Sequence, residues 1–213
     1  MRPAAVLGAA LILLVGCNSA TPSPSVSLAS CPTAAPTAAQ AETINADAGR
    51  VAVATSLGTF TIELYPEAAP IATANFVALA GCGFYNQITF HRVIAGFVIQ
   101  AGDPQTRLQR GSFAGLGTGG PGYFFGIEPV AAGLQYDPYV VAMANASSPD
   151  TNGSQFFIDL ASLVGQLAPN YTIFGKVIEG TAVIDAIGAV AVNEPTIGVP
   201  LTAVIIESMT ISP

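Results

Sequence analysis

Short stretches in which apolar and polar residues alternate recur along the chain after residue 50, and they predict a mostly β fold. In residues 59–64, Phe60, Ile62 and Leu64 alternate with polar residues, which is typical of a strand with one buried face. A helix is predicted from Pro70 to about Ala80, and a second over residues 181–187. Many short strands, two helices and glycine-rich turns favour a closed antiparallel β-barrel. The predicted strands are residues 51–55, 59–64, 88–94, 97–101, 140–145, 155–159, 171–177 and 201–211.

Arg92 and Gln100 lie within the largely apolar stretch 88–101. Arg92 is expected on one face of its strand together with Phe90 and Ile94, and Gln100 shares a face with Val98 in the next strand. Burying an arginine costs free energy unless its guanidinium is paired with another group or has a functional role. A lone strand arginine ordinarily extends its head to water. A second polar side chain in the neighbouring strand instead indicates a pair that can hold a peptide backbone without transferring protons.

The segment that contains this pair, FHRVIAGFVIQAGD at residues 90–103, resembles the signature segment of cyclophilins, the peptidyl-prolyl cis–trans isomerases. Two further segments match in the family's order: GTGG at residues 117–120, and residues 143–158, which begin MANA and end TNGSQFFI. The resemblance covers about residues 51–211. It implies a barrel of about eight strands capped by two α-helices, and isomerase activity on X-Pro bonds with no cofactor and no metal.

The resemblance also implies which residues act. Arg92 and Gln100 would be catalytic, with Arg92 aimed at the prolyl nitrogen, which regains its lone pair when the bond twists. The implied substrate-binding residues form an apolar slot for the proline ring and a groove for the flanking chain: Phe97, Val98, Phe157, Leu167 and Tyr171 at the slot, and Thr118, Ala144, Asn145 and Gln155 along the groove.

The chain departs from the common family pattern around the slot. Val98 stands where many members have methionine, Gln166 where the best-known eukaryotic members have tryptophan, and Tyr171 where histidine is frequent. We therefore expect weaker cyclosporin binding with isomerase activity retained.

Two other functions fit parts of the sequence. The first is a non-catalytic chaperone module that binds proline peptides in the same groove, which the substitutions around Leu167 encourage but the intact Arg92 and Gln100 oppose. The second is a hydrolase that uses Ser154 with His91, although nothing in the sequence resembles a nucleophile elbow. We interpret His91 as a structural histidine that points away from the face of Arg92.

The first residues predict export and lipidation. Residues 1–16 have the features of a signal peptide, and LVGC at residues 14–17 resembles the lipobox of bacterial lipoproteins, in which Cys17 would carry the lipid. Residues 17–48 are rich in serine, threonine, proline and alanine, and are expected to form a disordered tether. Residues 49–213 would be the isomerase domain, located outside the cytoplasm and attached to the membrane through the lipid alone.

Composition narrows the partners further. The formal charge of −7 argues against nucleic acid as a partner. Proline-containing polypeptides are the expected partners of a chain that is expected to be monomeric. Cys31 and Cys82 could pair in an oxidising compartment, although nothing in the sequence holds the tether near Cys82. Residues 105–114 are interpreted as a solvated insertion.

Overall fold

The architecture was derived from a computed structural model that describes residue 1, residues 30–107 and residues 116–213. This part of the chain contains three helices: α1 (Ala38–Asn45), α2 (Pro70–Gly81) and α3 (Thr181–Gly188). A single 3₁₀ turn follows the fourth strand, at Pro104–Arg107. The eight strands are β1 (Arg50–Thr55), β2 (Gly58–Leu64), β3 (Arg92–Ile94), β4 (Val98–Ala101), β5 (Val140–Met143), β6 (Phe156–Asp159), β7 (Ile173–Glu179) and β8 (Ile206–Ser212).

The eight strands form one antiparallel sheet in the order β3-β4-β6-β5-β7-β2-β1-β8. The mostly β, eight-stranded prediction is therefore confirmed, but the sheet curls into a half-barrel and is not closed by a ladder between its edge strands. Irregular backbone joins the edges instead: Phe90 N–H donates to Val204 O at 3.0 Å, and Ile206 N–H donates to Ile88 O at 2.8 Å. Residues 88–91 leave the regular strand conformation to make these bonds, so β3 is shorter than predicted.

Helix α2 and an aromatic cluster fill the concave side of the sheet. Phe76 on α2 is fully buried, and its ring centroid lies 5.0 Å from that of Phe174, 5.2 Å from Tyr85 and 5.4 Å from Phe156. Aromatic pairs at these separations add to the free energy gained by burying their surface. Glu128 fixes the start of α2, since its carboxylate oxygens accept the N–H groups of Ile71 and Ala72, each at 2.8 Å. These contacts connect α2 to the sheet through its aromatic core and to the loop that carries Glu128.

The N-terminal arm, residues 30–48, differs from the disordered tether that its composition predicts. Helix α1 begins with a capping box in which Thr37 N–H donates to Gln40 Oε1 at 2.9 Å and Gln40 N–H donates to Thr37 Oγ1 at 3.4 Å. Ala41 is fully buried, and Asn45 Nδ2 donates to Pro70 O at 3.0 Å. The prediction of a disordered tether rested on composition, which does not detect the capping box at the start of α1. Helix α1 was therefore not predicted.

A disulfide between Cys31 and Cys82 attaches this arm to the end of α2, with a Cα–Cα distance of 5.2 Å. Closing a loop of this length restricts the unfolded chain and helps to offset the entropy lost when the arm becomes ordered.

Cys17 and the predicted signal peptide lie outside the described residues. Among the helices of the described ranges, none has the length and apolar character that a membrane span requires.

The predicted insertion begins as packed structure. Thr106 is buried, and its hydroxyl donates to Asp103 O at 2.7 Å while accepting the N–H of Thr89 at 3.0 Å. Arg107 Nε donates to Asn86 O at 2.9 Å. The expectation of a solvated segment is therefore wrong for residues 105–107, and residues 108–115 lie outside the described ranges.

Candidate active site

Arg92 and Gln100 face each other across the β3–β4 ladder, where they are direct register partners. Directly opposed residues on antiparallel strands project to the same face of a sheet, so the pair is assembled as the alternation predicts. Phe90 is the exception, because its side chain is 1% exposed in the main core. The irregular backbone of residues 88–91 interrupts the alternation just before β3.

The pair lies in a cleft of about 150 Å³, which we call the slot. Nine of the eleven predicted site residues line it: Arg92, Phe97, Val98, Gln100, Ala144, Asn145, Phe157, Leu167 and Tyr171. The two others, Thr118 and Gln155, line the groove that continues from the slot along the glycine-rich loop, residues 117–122. The structure thus brings all eleven residues into one continuous depression.

Packing and backbone hydrogen bonds fix the apolar walls of the slot. Phe157 is 5% exposed and meets Tyr171 edge to face, with ring centroids 5.5 Å apart. Tyr136 holds the backbone of Tyr171 from behind, since its hydroxyl donates to Tyr171 O at 2.8 Å and accepts Tyr171 N–H at 3.1 Å. Such a slot presents a preformed apolar surface to a small ring.

Arg92 is the cation of the slot, and its guanidinium is half-buried. Its Cζ atom lies 5.9 Å from the centroid of the Phe97 ring, within cation–π distance. Burial lowers the pKa of Arg92 from its ordinary value, an effect that Tyr171 partly opposes. Because that ordinary value is so high, the guanidinium keeps its proton at neutral pH and remains a hydrogen-bond donor.

A chain of side-chain amides connects the slot to the glycine-rich loop. Gln100 Nε2 donates to Gln155 Oε1 at 2.9 Å, and Gln155 Nε2 donates to Gly119 O at 2.8 Å. Since Gln100 uses its amide nitrogen in this way, its amide oxygen can accept an N–H from a bound peptide. The two glutamines therefore orient each other and fix the groove wall.

Asp103 positions the glycine-rich loop, a role that the sequence reasoning missed. It is fully buried, and its two carboxyl oxygens accept three backbone N–H groups: Gln105 at 2.8 Å, Gly117 at 2.6 Å and Gly119 at 3.3 Å. A Cβ atom at Gly119 would collide with this carboxyl group. The aspartate therefore sets the path of the loop that forms the groove wall. An aspartate followed by proline, next to a glycine-rich loop, is the signal that could have revealed it.

His91 and Ser154 do not form a hydrolytic pair. The hydroxyl of Ser154 is buried and donates to Gly102 O at 2.7 Å, so it is engaged with the backbone. His91 is 4% exposed and lies against Gly117, where a Cβ atom would be 3.6 Å from its Nε2. Burial lowers the pKa of His91 to about 4, so the ring is neutral at pH 7. The hydrolase interpretation has no support in this geometry.

Comparison with known families identifies the class of this protein. The model of the family described as cyclophilin type peptidyl-prolyl cis-trans isomerase/CLD matches residues 50–211. Peptidyl-prolyl cis-trans isomerase A of Mycobacterium tuberculosis is 42% identical over 176 residues, which are 74% of this chain and 89% of that protein. A fungal relative, peptidyl-prolyl cis-trans isomerase-like 1 of Aspergillus fumigatus, is 42% identical over 148 residues, covering 65% and 81% of the two chains.

Solved structures lead to the same family. A crystal structure of a Cryptosporidium parvum cyclophilin-type isomerase, determined in the presence of the dipeptide Ala-Pro, has a TM-score of 0.67 and 36% identity, and covers 77% of this chain and 99% of that one. The chain therefore belongs to the cyclophilin-type peptidyl-prolyl cis–trans isomerases and is an enzyme of that class. The predicted family, fold class and activity are confirmed, whereas export and lipidation stay predictions.

Proposed function

We propose that this isomerase acts outside the cytoplasm, attached to the membrane through a lipid on Cys17, and accelerates rotation about X-Pro bonds in exported or unfolded polypeptides. The observation that carries the catalytic part is the register pairing of Arg92 with Gln100 beside the apolar slot. The proline ring would enter the slot between Phe157, Val98 and Leu167. Gln100 and the backbone of Asn145 would hold the peptide on either side.

The chemistry follows from the electronic structure of the X-Pro bond. Its nitrogen lone pair is delocalised into the carbonyl, which gives a rotational barrier of about 18–20 kcal/mol. When the bond twists, the lone pair returns to nitrogen and becomes a hydrogen-bond acceptor. Arg92 would donate to that nitrogen in the twisted state alone, and an interaction confined to the transition state raises the rate. One charge-assisted hydrogen bond of about 1.5–3 kcal/mol gives an acceleration of roughly ten- to a hundredfold.

The slot would contribute by fixing one side of the bond. Its walls hold the ring while the carbonyl on the other side of the bond rotates, and the walls displace water that would otherwise stabilise the planar amide. The Ala-Pro dipeptide present with the related crystal structure supports a proline-containing ligand for this slot. The mechanism needs no covalent intermediate.

Two features support a location outside the cytoplasm. The lipobox-like segment at residues 14–17 is the first. The Cys31–Cys82 disulfide is the second, because disulfides form and persist in oxidising compartments. The test is to label growing cells with an alkyne fatty acid. The wild-type protein should carry the label and be found in the membrane fraction, whereas Cys17→Ala should carry no label and should not be found in that fraction. Label retained on Cys17→Ala would contradict lipidation there.

The catalytic test is NMR exchange on a short X-Pro peptide with catalytic amounts of the full chain. Arg92→Ala should reduce the exchange rate roughly ten- to a hundredfold, the contribution expected from one charge-assisted hydrogen bond. Arg92→Lys is the matched control, since it keeps the charge but loses the rigid fork, and it should recover part of the rate. Peptide binding with no accelerated exchange in the wild type would indicate a non-catalytic binding module.

A further inference from the structure

A second cleft adjoins the slot on the side away from the glycine-rich loop. It has a volume of about 450 Å³, and we call it the side cleft. The side cleft shares Asn145, Leu167 and Tyr171 with the slot. Its full lining is Ile127, Asn145, Ser147, Ser148, Pro149, Leu167, Ala168, Asn170 and Tyr171.

Asn145 is the residue at which three depressions meet, because it lines the slot, the glycine-loop groove and the side cleft. A peptide with its proline in the slot must leave the slot in two directions. One direction follows the glycine-loop groove. Because neighbouring residues of an extended peptide are about 3.3–3.6 Å apart, and because the side cleft shares three residues with the slot, the side cleft is within reach of the residues next to the proline at the other end.

Hydrogen bonds preform both walls of the side cleft. The side chain of Asn145 connects them: its Nδ2 donates to Asn170 O at 2.8 Å, and its Oδ1 accepts the N–H of Ser147 at 3.0 Å. Thr151 braces the outer loop, since its hydroxyl donates to Ser148 O at 2.8 Å and accepts the N–H of Ala146 at 2.9 Å. A preformed cleft saves a ligand the entropic cost of ordering it.

The chemistry of the lining selects an uncharged side chain. The nine lining residues include apolar surface from Ile127, Leu167 and Pro149 and the hydroxyls of two serines, with no acidic or basic side chain. Glu128, next to Ile127, is engaged by the N–H groups at the start of α2. The chain's formal charge of −7 disfavours an acidic ligand further.

We propose that the side cleft is a substrate subsite, occupied by an apolar or hydroxyl-bearing residue that flanks the proline held in the slot. This inference rests on the proposed function of the slot. It assigns the cleft a part in choosing substrates, whereas Arg92 acts on every X-Pro bond that enters.

The test compares peptides of different length and flanking residue on the full chain. A capped Ala-Pro peptide is the short reference, and it is extended by three residues on one side or the other, with leucine, serine, lysine or glutamate at successive positions. In one of the two series, leucine peptides should show a kcat/KM roughly tenfold above that of their glutamate and lysine counterparts, as expected for partial burial of one apolar side chain. Serine peptides should also exceed the two charged ones.

A cleft-filling variant locates the effect. Ser148 is exposed, and the bond that it contributes to the loop comes from its backbone carbonyl, so Ser148→Phe fills the cleft without removing that bond. It should reduce the ratio of kcat/KM between the favoured long peptide and the short one to near unity. Ser208→Phe, on the exposed face of β8 and far from the lining residues, is the control, and it should keep the wild-type ratio.

The failures are distinguishable. No acceleration of the short peptide by the wild type would overturn the proposed function of the slot. An accelerated short peptide, with no dependence on flanking residues in either series, would overturn the side cleft alone. An equal loss in Ser148→Phe and Ser208→Phe would overturn it as well.

Discussion

Two buried aspartates lie on opposite sides of the active site, and they differ in the hydrogen bonds that their carboxyl groups accept. Asp103, after β4, is fully buried beneath the glycine-rich loop and accepts three backbone N–H groups. Asp159 ends β6 directly opposite Val98 of the slot, and it is fully buried too. Within the described ranges neither of its carboxyl oxygens has a hydrogen-bond partner. Burial, together with the nearby Asp137, raises the pKa of Asp159 to about 8.

The difference shows that depth of burial alone does not decide what a carboxyl group does. Donated hydrogen bonds compensate for lost solvation, and without them the neutral form is favoured. On the glycine-loop side of the active site, the Asp103 carboxylate therefore holds the backbone in place as a hydrogen-bond acceptor. On the slot side, packing holds the structure, and the buried Asp159 is favoured in its protonated form. Three predictions test this contrast, from the largest expected effect to the smallest.

Removing the acceptor should damage the glycine-loop side most. Asp103→Ala leaves three backbone N–H groups without their partner, and we expect a loss of about 3–5 kcal/mol in the free energy of unfolding, at about 1–3 kcal/mol for each buried unsatisfied group. Urea unfolding measures this. Asp103→Asn keeps one carbonyl oxygen and should lose less. Equal stability of Asp103→Ala and the wild type would contradict the assigned role.

Replacing Asp159, whose carboxyl group has no hydrogen-bond partner within the described ranges, should raise the free energy of unfolding relative to the wild type at high pH. Because the pKa of Asp159 is raised from 3.8 to about 8, the folded state binds an extra proton between these values, and its stabilisation declines as pH rises through that window. The stability of Asp159→Asn relative to the wild type should therefore increase from pH 4 to pH 8, by about 3 kcal/mol or more, at 1.36 kcal/mol per unit of pKa shift. Urea unfolding across this range checks it, and a difference that does not vary with pH would contradict it.

The histidine of the glycine-loop side should give a smaller effect at acid pH. The pKa of His91 is lowered from 6.5 to about 4, so the folded state excludes a proton that the unfolded chain binds. The stability that depends on a neutral His91 is fully present above pH 6.5 and is lost as pH falls towards 4, and it amounts to about 3 kcal/mol. His91→Gln should remove this acid-dependent loss.

The two titrations oppose each other between pH 4 and pH 6.5, which provides a control. In the wild type the slopes of His91 and Asp159 have opposite signs and largely cancel. Asp159→Asn should uncover a stability that rises with pH, and His91→Gln a stability that falls with pH. The same slope in both variants would show that these residues do not govern the pH dependence.

Much of the active site could be predicted because its determinants are local. Arg92 and Gln100 are eight residues apart on adjacent strands, and alternation with a tight turn is enough to place them on one face. The signature segments contain the remaining site residues except Leu167 and Tyr171, which the wider resemblance to the family implied. Phe90 was placed wrongly because alternation was carried into backbone that turns to join Val204 and Ile206, an interaction over more than one hundred residues that no local pattern encodes.

The missed features depend on tertiary contacts. The function of Asp103 is visible only when the loop at residues 117–119 lies over it. Helix α1 has little apolar character of its own, and it is ordered by its capping box, by contact with α2 and by the disulfide. The half-barrel shape likewise reflects how the sheet edges meet, which strand patterns do not specify.

If Cys17 carries the proposed lipid, the disulfide also sets how far from the membrane the enzyme can work. If the arm were free, the 32 residues from Cys17 to Gly49 could extend to roughly 110 Å, at about 3.3–3.6 Å per residue. With Cys31 bonded to Cys82, the 14 residues from Cys17 to Cys31 can extend to about 50 Å at most. For an enzyme anchored in that way, the bond would more than halve the radius of the volume in which the slot can meet an emerging chain, and would keep the enzyme close to the bilayer surface.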